Sequence, residues 1–178
     1  MARTAKQQPS TARTVWLYAE AAAKPLYDSG LVGKWQLFVP RSVVDTVWAE
    51  FAGATERGEL GISAKVSAAL PNPNAHDPNS HVVILYAADW RDLDDLRRML
   101  RRIRATGVEQ SVYFKRDRET LAGQYSKRGS RTTVSVWGSP TGETIRTKWV
   151  GTGKTWVELT SENQEATIAH IQRQDALD

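Results

Sequence analysis

The chain contains no cysteine and only three histidines among its 178 residues. The lack of cysteine excludes disulfides, thiolate nucleophiles and thiolate metal sites. The histidines, at positions 76, 81 and 170, are too far apart in sequence to suggest a zinc site, so we expect no metal. The chain also lacks the run of about 18 apolar residues that a membrane helix needs. No apolar signal segment begins it, and we therefore expect a cytoplasmic protein with no membrane partner.

The signatures of the common cofactor-dependent and nucleophilic enzymes are absent as well. Residues 151–154 (Gly-Thr-Gly-Lys) lack the full spacing of a phosphate loop, and they do not lie between a strand and a helix. Neither a nucleophile elbow nor a dinucleotide fingerprint occurs. We therefore expect no organic cofactor.

The positive charge of the chain is concentrated in one segment. The net charge is +4, and residues 114–131 alone contain six basic and two acidic residues. The basic residues are Lys115, Arg116, Arg118, Lys127, Arg128 and Arg131. Because arginine and lysine are the usual donors to phosphate groups, this segment predicts contact with a phosphorylated ligand.

Periodicity predicts one α+β domain over residues 12–178, after a flexible tail at residues 1–11. Helices are predicted at 14–24, from Ser42, at 89–105 and from Ser161. Strands are predicted at 33–39, 61–67, 81–86, 112–115, 132–137, 144–150 and 155–159. Because the late connections are short, we expect a curved, mainly antiparallel sheet with helices packed on one face and the other face open.

Three lysines occur inside predicted strands, where lysine is unfavourable: Lys34, Lys65 and Lys115. If their strands are neighbours, the ammonium groups can converge on an anion; if not, they are ordinary solvent-facing lysines. A lysine that acts as a general base needs a lowered pKa, through burial or nearby positive charge. Lys65, which shares its strand face with Ser63 and Ser67, is the best candidate for that base.

Seven tryptophans are a high number for this length, and two facing indoles can hold a nucleobase. The simpler interpretation is core packing, which we expect for Trp48 and Trp35. The aromatic candidates for ligand stacking are Trp90, Trp35, Tyr113 and Tyr125. Trp90 is notable because it follows the acidic residue Asp89.

Several sequence blocks jointly resemble the Bles03 family over about residues 30–126. They are Gly33-Lys-Trp-x-Leu-Phe-Val39, Gly58-Glu-Leu-Gly-Ile-Ser-Ala-Lys-Val66, Asp89-Trp90 before a helix, and Tyr113-Phe-Lys115-x-Asp117 with Thr120, Gly123 and Tyr125. The family is similar in fold to the cap-binding translation initiation factor 4E. Its bacterial members commonly carry the label phosphothreonine lyase. The resemblance therefore implies both an initiation factor 4E-like fold and phosphate chemistry.

Phosphothreonine lyases contain a Lys-Phe-His motif and a later Phe-Lys-Val motif. In that comparison Lys34-Trp35-Gln36 matches the first motif with glutamine in place of the histidine acid, and Ala64-Lys65-Val66 matches the second. The resemblance implies that Lys65 is the base, and its motif match makes Lys34 a second catalytic candidate. We expect Lys34, Lys115 and Arg131 to contact the phosphate. His81 or Tyr113 can replace the missing acid only if the fold brings them close.

The sequence therefore supports a domain that recognises a phosphorylated peptide or nucleotide. In its sharpest form it is a lyase that β-eliminates phosphate from a phosphothreonine-like substrate. The alternative is a non-catalytic nucleotide-, cap- or RNA-binding module that uses stacked tryptophans and the basic segment. The sequence does not indicate an oligomeric state.

Overall fold

One curved antiparallel sheet forms the centre of the computed structural model, which describes residues 7–70, 77, 79–123, 134–150 and 155–177. Its strands are β1 (Trp16–Glu20), β2 (Gly33–Pro40), β3 (Ser63–Ser67), β4 (Ser80–Ala87), β5 (Val112–Arg116), β6 (Trp137–Ser139), β7 (Arg146–Thr147) and β8 (Val157–Glu158). The strand order is β1-β3-β4-β2-β5-β6-β7-β8. The helices are α1 (Val44–Glu56), α2 (Leu93–Ala105), α3 (Asp117–Leu121) and α4 (Gln164–Asp175). The predicted α+β class is confirmed.

Strand alternation divides the sheet into two different faces. On β2, Trp35, Leu37 and Val39 are buried, and they belong to one core cluster with the apolar side chains of α1, α2 and α4. The intervening residues of β2 lie on the opposite face. We call that side the open face: it carries Lys34, Gln36 and Phe38 and the residues of other strands that pair directly with them.

The apolar stripes of the two long helices are buried as predicted. On α1 these are Val44, Val47, Trp48 and Phe51; on α2 they are Leu93, Leu96, Leu100 and Ile103, with Met99 in addition. Four of the five arginines of α2 form ion pairs, with Asp94, Asp95, Glu59 and Glu143. These positive charges are therefore largely balanced within the fold.

The predicted helix starts are displaced. Asp92 caps α2 by accepting a hydrogen bond from the Asp95 amide at 3.0 Å, whereas Asp89, the first residue of the predicted helix, binds Arg91. At α1 no side chain caps the helix, because the N-cap residue is Val43. Asp45 in its first turn accepts hydrogen bonds from the amide and hydroxyl of Ser10. Residues 7–11 of the predicted tail are therefore anchored to α1.

The predicted helix at residues 14–24 is wrong, because this segment forms β1. Leu17 and Ala19 are buried, whereas Tyr18 and Glu20 are exposed, which is a period of two rather than 3.6. All five residues of β1 pair with β3. Strand pairing and burial of one face outweigh the helical propensity of the alanines that follow.

The late strands are shorter than predicted, although their antiparallel pairing is confirmed. Gly138, which lies between two predicted strands, belongs to β6. The Trp156 ring lies directly over it, and an added Cβ would come within 2.9 Å of that ring. Residues 132 and 133 of the predicted strand lie outside the described part of the chain.

A substitution at Gly33 tests the packing that supports the open face. A Cβ at this position would overlap the buried Phe114 ring and approach the Lys115 carbonyl oxygen to 3.2 Å. We expect Gly33→Ala to lower the free energy of unfolding by about 1–3 kcal/mol, measured by urea denaturation. Gly30→Ala is the control, because its Cβ would meet only the Asp28 side chain. Equal stability of both variants would contradict the packing described here.

Candidate functional site

The sheet register brings the three strand lysines to the open face. Lys34 on β2 lies directly opposite Lys115 on β5 and opposite Tyr86 on β4. Lys65 on β3 lies opposite Ile84, which pairs in turn with Gln36 on β2. Directly opposite residues point to the same side of a sheet, so all three lysines share one face.

Lys34 is held in an ion pair under the surface of this face. Its side chain is almost fully buried, and its ammonium group donates to the carboxylate of Asp117, the first residue of α3. The ammonium group also lies 5.4 Å from the centre of the Tyr86 ring. Because a buried ammonium group needs a partner, Asp117 compensates for the burial of Lys34 at this position.

Lys65 is the most accessible of the three amines. Its ammonium group lies 4.6 Å from the centre of the Trp16 ring and 5.9 Å from that of Tyr86. Burial, and then the positive charge of Lys34, lower the pKa of Lys65, while Asp117 opposes them. A larger fraction of this amine is therefore neutral near physiological pH than for an ordinary lysine.

Lys115 is buried beside Lys34. Burial and the charge of Lys34 lower the pKa of Lys115, against the opposing effects of Glu119 and Asp117. Since the Lys115 side chain is only 3% exposed, it can contribute positive potential to the site but has little surface for direct contact with a ligand.

The phenol of Tyr86 lies between Lys34 and Lys65. Burial, and then the negative charge of Asp117, raise the pKa of Tyr86 to about 12. The hydroxyl therefore keeps its proton at neutral pH and can donate a hydrogen bond. Tyr86 also lines a cavity of about 360 Å³, together with Ser63, Asp117 and Arg118.

Arg116, predicted to bind phosphate, points away from the open face. It pairs in register with Gly33 and is 1% exposed. Its guanidinium donates to Glu119 and Asp175 and lies 4.6–5.0 Å from the ring centres of Trp149 and Trp90. Burial lowers the pKa of Arg116, but the hydrogen bonds to Asp175 and Glu119 outweigh it and raise the pKa. We therefore leave Arg116 out of the site.

Two of the predicted stacking residues belong to the core. Trp35 is fully buried and packs edge-on against Phe114 at 5.1 Å. Trp90 is 2% exposed, and its carbonyl accepts a hydrogen bond from the Trp137 indole at 2.8 Å. Neither ring has a face available for a ligand.

The other predicted site residues have separate positions. Arg118 is half-exposed on α3 and lines the cavity beside Asp117, although it also lies 3.2 Å from Asp175. Tyr113 is 42% exposed on the open face. Tyr125, Arg128 and Arg131 lie outside the described residues.

Two partly exposed aromatic residues near the open face were not predicted. Trp16 of β1 contacts Lys65, and Trp156 lies over Gly138 beside Tyr113. The alternation of β1 contains the signal for Trp16, because it shares a face with Tyr18. The sequence contains no such signal for Trp156, because this residue reaches the open face only through the packing of the last strands of the sheet, β6, β7 and β8.

The proposed replacements for a histidine acid do not converge on Lys65. His81 points to the helical side, and its Nδ1 lies 2.6 Å from the Ser67 carbonyl oxygen. Tyr113 lies three strands from Lys65, about 14 Å across the sheet. Tyr86 is the nearer hydroxyl group.

No metal site and no membrane-spanning helix occur in the part of the chain that the structure describes. No group of three or more histidine or carboxylate side chains there could hold a metal ion. None of the helices there is long and apolar enough to cross a bilayer.

The lowered pKa of Lys65 is testable by competitive acetylation with trace acetic anhydride across alkaline pH, read by peptide mass spectrometry. We expect Lys65 to become reactive at lower pH than Lys24, whose hydrogen bond to Glu20 raises its pKa. Lys34→Gln should move the Lys65 midpoint upward, because it removes a neighbouring positive charge. Identical midpoints for Lys65 and Lys24 would contradict the electrostatics described here.

The family comparison covers the strands and helices that carry the lysines. The family model described as Basophilic leukemia-expressed protein Bles03 matches residues 27–121, which is more than half of the chain. This range contains Lys34, Lys65, Tyr86, Lys115 and Asp117, but neither Trp16 nor Trp156. The chain belongs to the Bles03 family.

Proposed function

We propose that the open face binds a phosphorylated ligand at Lys65. The observation that carries this proposal is the position of the Lys65 amine: it is partly exposed, it lies beside the rings of Trp16 and Tyr86, and the buried Lys34 is close enough to add positive potential. A phosphate dianion in front of Lys65 gains both direct charge contact and that added potential.

Neighbouring groups support the binding of a phosphate at this point. The Tyr86 hydroxyl remains protonated and is a hydrogen-bond donor for phosphate oxygens. Arg118 lines the adjoining cavity and supplies a further half-exposed cation. Ser63 shares the Lys65 strand face and lines the same cavity.

In its catalytic form the site β-eliminates phosphate from phosphothreonine. The neutral amine of Lys65 takes the α-proton, and the electron pair of that C–H bond becomes the Cα–Cβ double bond. The Cβ–O bond breaks as this double bond forms, and phosphate leaves with the electron pair of the Cβ–O bond. Gln36 cannot protonate the leaving group, and loss of acid catalysis costs on the order of 10²–10⁴-fold in rate. Tyr86 compensates in part, since a hydrogen bond to the departing oxygen stabilises its developing charge.

A phosphothreonine peptide tests the lyase directly. Incubation with the protein should yield the dehydrated peptide and free phosphate, detected by mass spectrometry and a phosphate assay. Lys65→Met should abolish the product, because it removes the base while keeping a side chain of similar length. Lys24→Met is the matched control, because Lys24 is an exposed lysine paired with Glu20, and it should retain activity.

Binding is measured separately from elimination. Calorimetric titration should show preference for the phosphorylated peptide over the same unphosphorylated peptide, and loss of that preference in Lys65→Met. Binding of the phosphorylated peptide without formation of the dehydrated peptide would exclude the lyase activity and leave phosphate recognition as the function. The absence of both would refute the proposal.

A second candidate function is nucleotide binding, favoured by the contact between Lys65 and Trp16. An indole beside an accessible lysine offers a stacking surface for a base and a cation for its phosphates. Trp16 belongs to β1, outside the segment matched by the family model, so the family match does not bear on this function.

Fluorescence titration with a cap analogue and with ATP tests this second function. We expect quenching of tryptophan emission that weakens as salt concentration rises. Trp16→Leu should remove most of the quenching, whereas Trp149→Leu should retain it, because Trp149 stacks on Arg116 away from the open face. Equal quenching in both variants would exclude Trp16 as the stacking residue.

A further inference from the structure

We infer that the far end of the open face is a second binding site, for single-stranded nucleic acid, centred on Trp156. The site consists of Trp156 with Tyr113, Arg146 and Lys148. It shares no side chain with the Lys65 site, and the segment around Trp156 lies outside the range of the family match. The inference therefore goes beyond the function proposed above.

Two cations and a second aromatic ring surround the Trp156 indole. The Arg146 guanidinium carbon lies 4.8 Å from the ring centre, and the Lys148 ammonium group lies 5.1 Å from it. The Tyr113 ring is 6.3 Å away, tilted by 35°, and 42% exposed. Arg146, Lys148 and Trp156 are each partly exposed, so a ligand can reach all four side chains.

The charges of this cluster are not neutralised by the described part of the chain. No carboxylate there forms an ion pair with Arg146 or Lys148, whereas four of the five arginines of α2 form such pairs. Glu158 lies opposite Arg146 in register but makes no such pair. The Nε of Arg146 is buried without an acceptor among the described residues. The cluster therefore retains positive charge for an anion.

The shape of the backbone keeps the aromatic pair in place. Gly138 lies between Tyr113 and Arg146 in the sheet, and its missing side chain lets the Trp156 ring sit against the strand. A Cβ there would come within 2.9 Å of Trp156 and 3.5 Å of Tyr113. The Trp156 ring is thus already held beside the two cations, so that binding a ligand costs this ring little further conformational entropy.

Nucleic acid fits this combination better than an isolated anion does. Single-stranded chains are held by cations that follow the phosphates and by aromatic rings on which bases stack. Arg146 is also five strand spacings from Lys65, about 24 Å across the same face. The partly exposed Trp156 and Tyr113 offer aromatic surface for bases, and the two cations suit the adjoining phosphates.

The test is binding of a short fluorescein-labelled oligouridylate, followed by anisotropy between about 50 and 200 mM salt. We expect Trp156→Leu to weaken binding about fivefold or more, the effect of losing one stacked base. Lys148→Gln should lower the slope of log affinity against log salt by about 0.7, since one phosphate contact is lost. Because Lys148 is partly exposed, this variant keeps the proposal testable if Trp156→Leu does not fold.

Two controls separate this site from its surroundings. Arg102→Gln removes one positive charge from α2, where Arg102 pairs with Glu59, and should leave affinity and slope unchanged. Lys65→Met should retain oligouridylate binding even where phosphopeptide binding is lost. Three results would each overturn the inference. They are wild-type affinity in Trp156→Leu, an equal loss of affinity in Arg102→Gln, and equally effective competition by polyphosphate, which has no bases.

Discussion

The Lys34–Asp117 ion pair is the interaction on which the open face depends. Lys34 occupies a central strand and is almost fully buried, so its ammonium group requires a carboxylate. Asp117 supplies it from the start of α3, directly after β5. Burial, and then the charge of this carboxylate, raise the pKa of Tyr86. Burial and the charge of Lys34 lower the pKa of Lys65, and the same carboxylate opposes them. One carboxylate thereby acts on two neighbouring groups of the open face.

Strand β5 separates two kinds of basic residue by alternation alone. Lys115 lies on the open face, whereas the next residue, Arg116, faces the helices and binds Glu119 and Asp175. The buried Arg116 network connects α3 to α4 and lies against Trp90 and Trp149. Adjacent residues in one basic segment thus have different tasks: one contributes potential to the open face, and the other holds the helices together.

Most of the fold was predictable, because the periodicity of the core is strong. The stripes of α1 and α2 and the alternation of β2 appear directly in the sequence. The segment that forms β1 was missed because its period-two pattern spans only five residues and alanines follow it. Local pattern cannot show that such a segment pairs with β3.

The site was predictable only in part, for a related reason. Lys34, Lys65 and Lys115 were identified by their unusual presence in strands, but their common face depends on the register of β2, β3, β4 and β5. Arg116 and Trp90 were misplaced because composition does not tell which side of a strand a residue faces, or whether a ring is covered. Tyr86 became visible only once β4 lay between the two lysine strands.

For the proposed function, the balance of charge around Lys65 decides between recognition and elimination of phosphate. A base must be neutral, whereas a phosphate contact is stronger when the amine is charged. A bound phosphate dianion raises the pKa of Lys65 and therefore opposes its action as a base. The cations of Lys34, Lys115 and Arg118 counter that effect. Two of them are themselves paired with carboxylates, Lys34 with Asp117 and Arg118 with Asp175. Elimination therefore requires that phosphate lie nearer Arg118 and Tyr86 than Lys65, which leaves the amine facing the α-carbon.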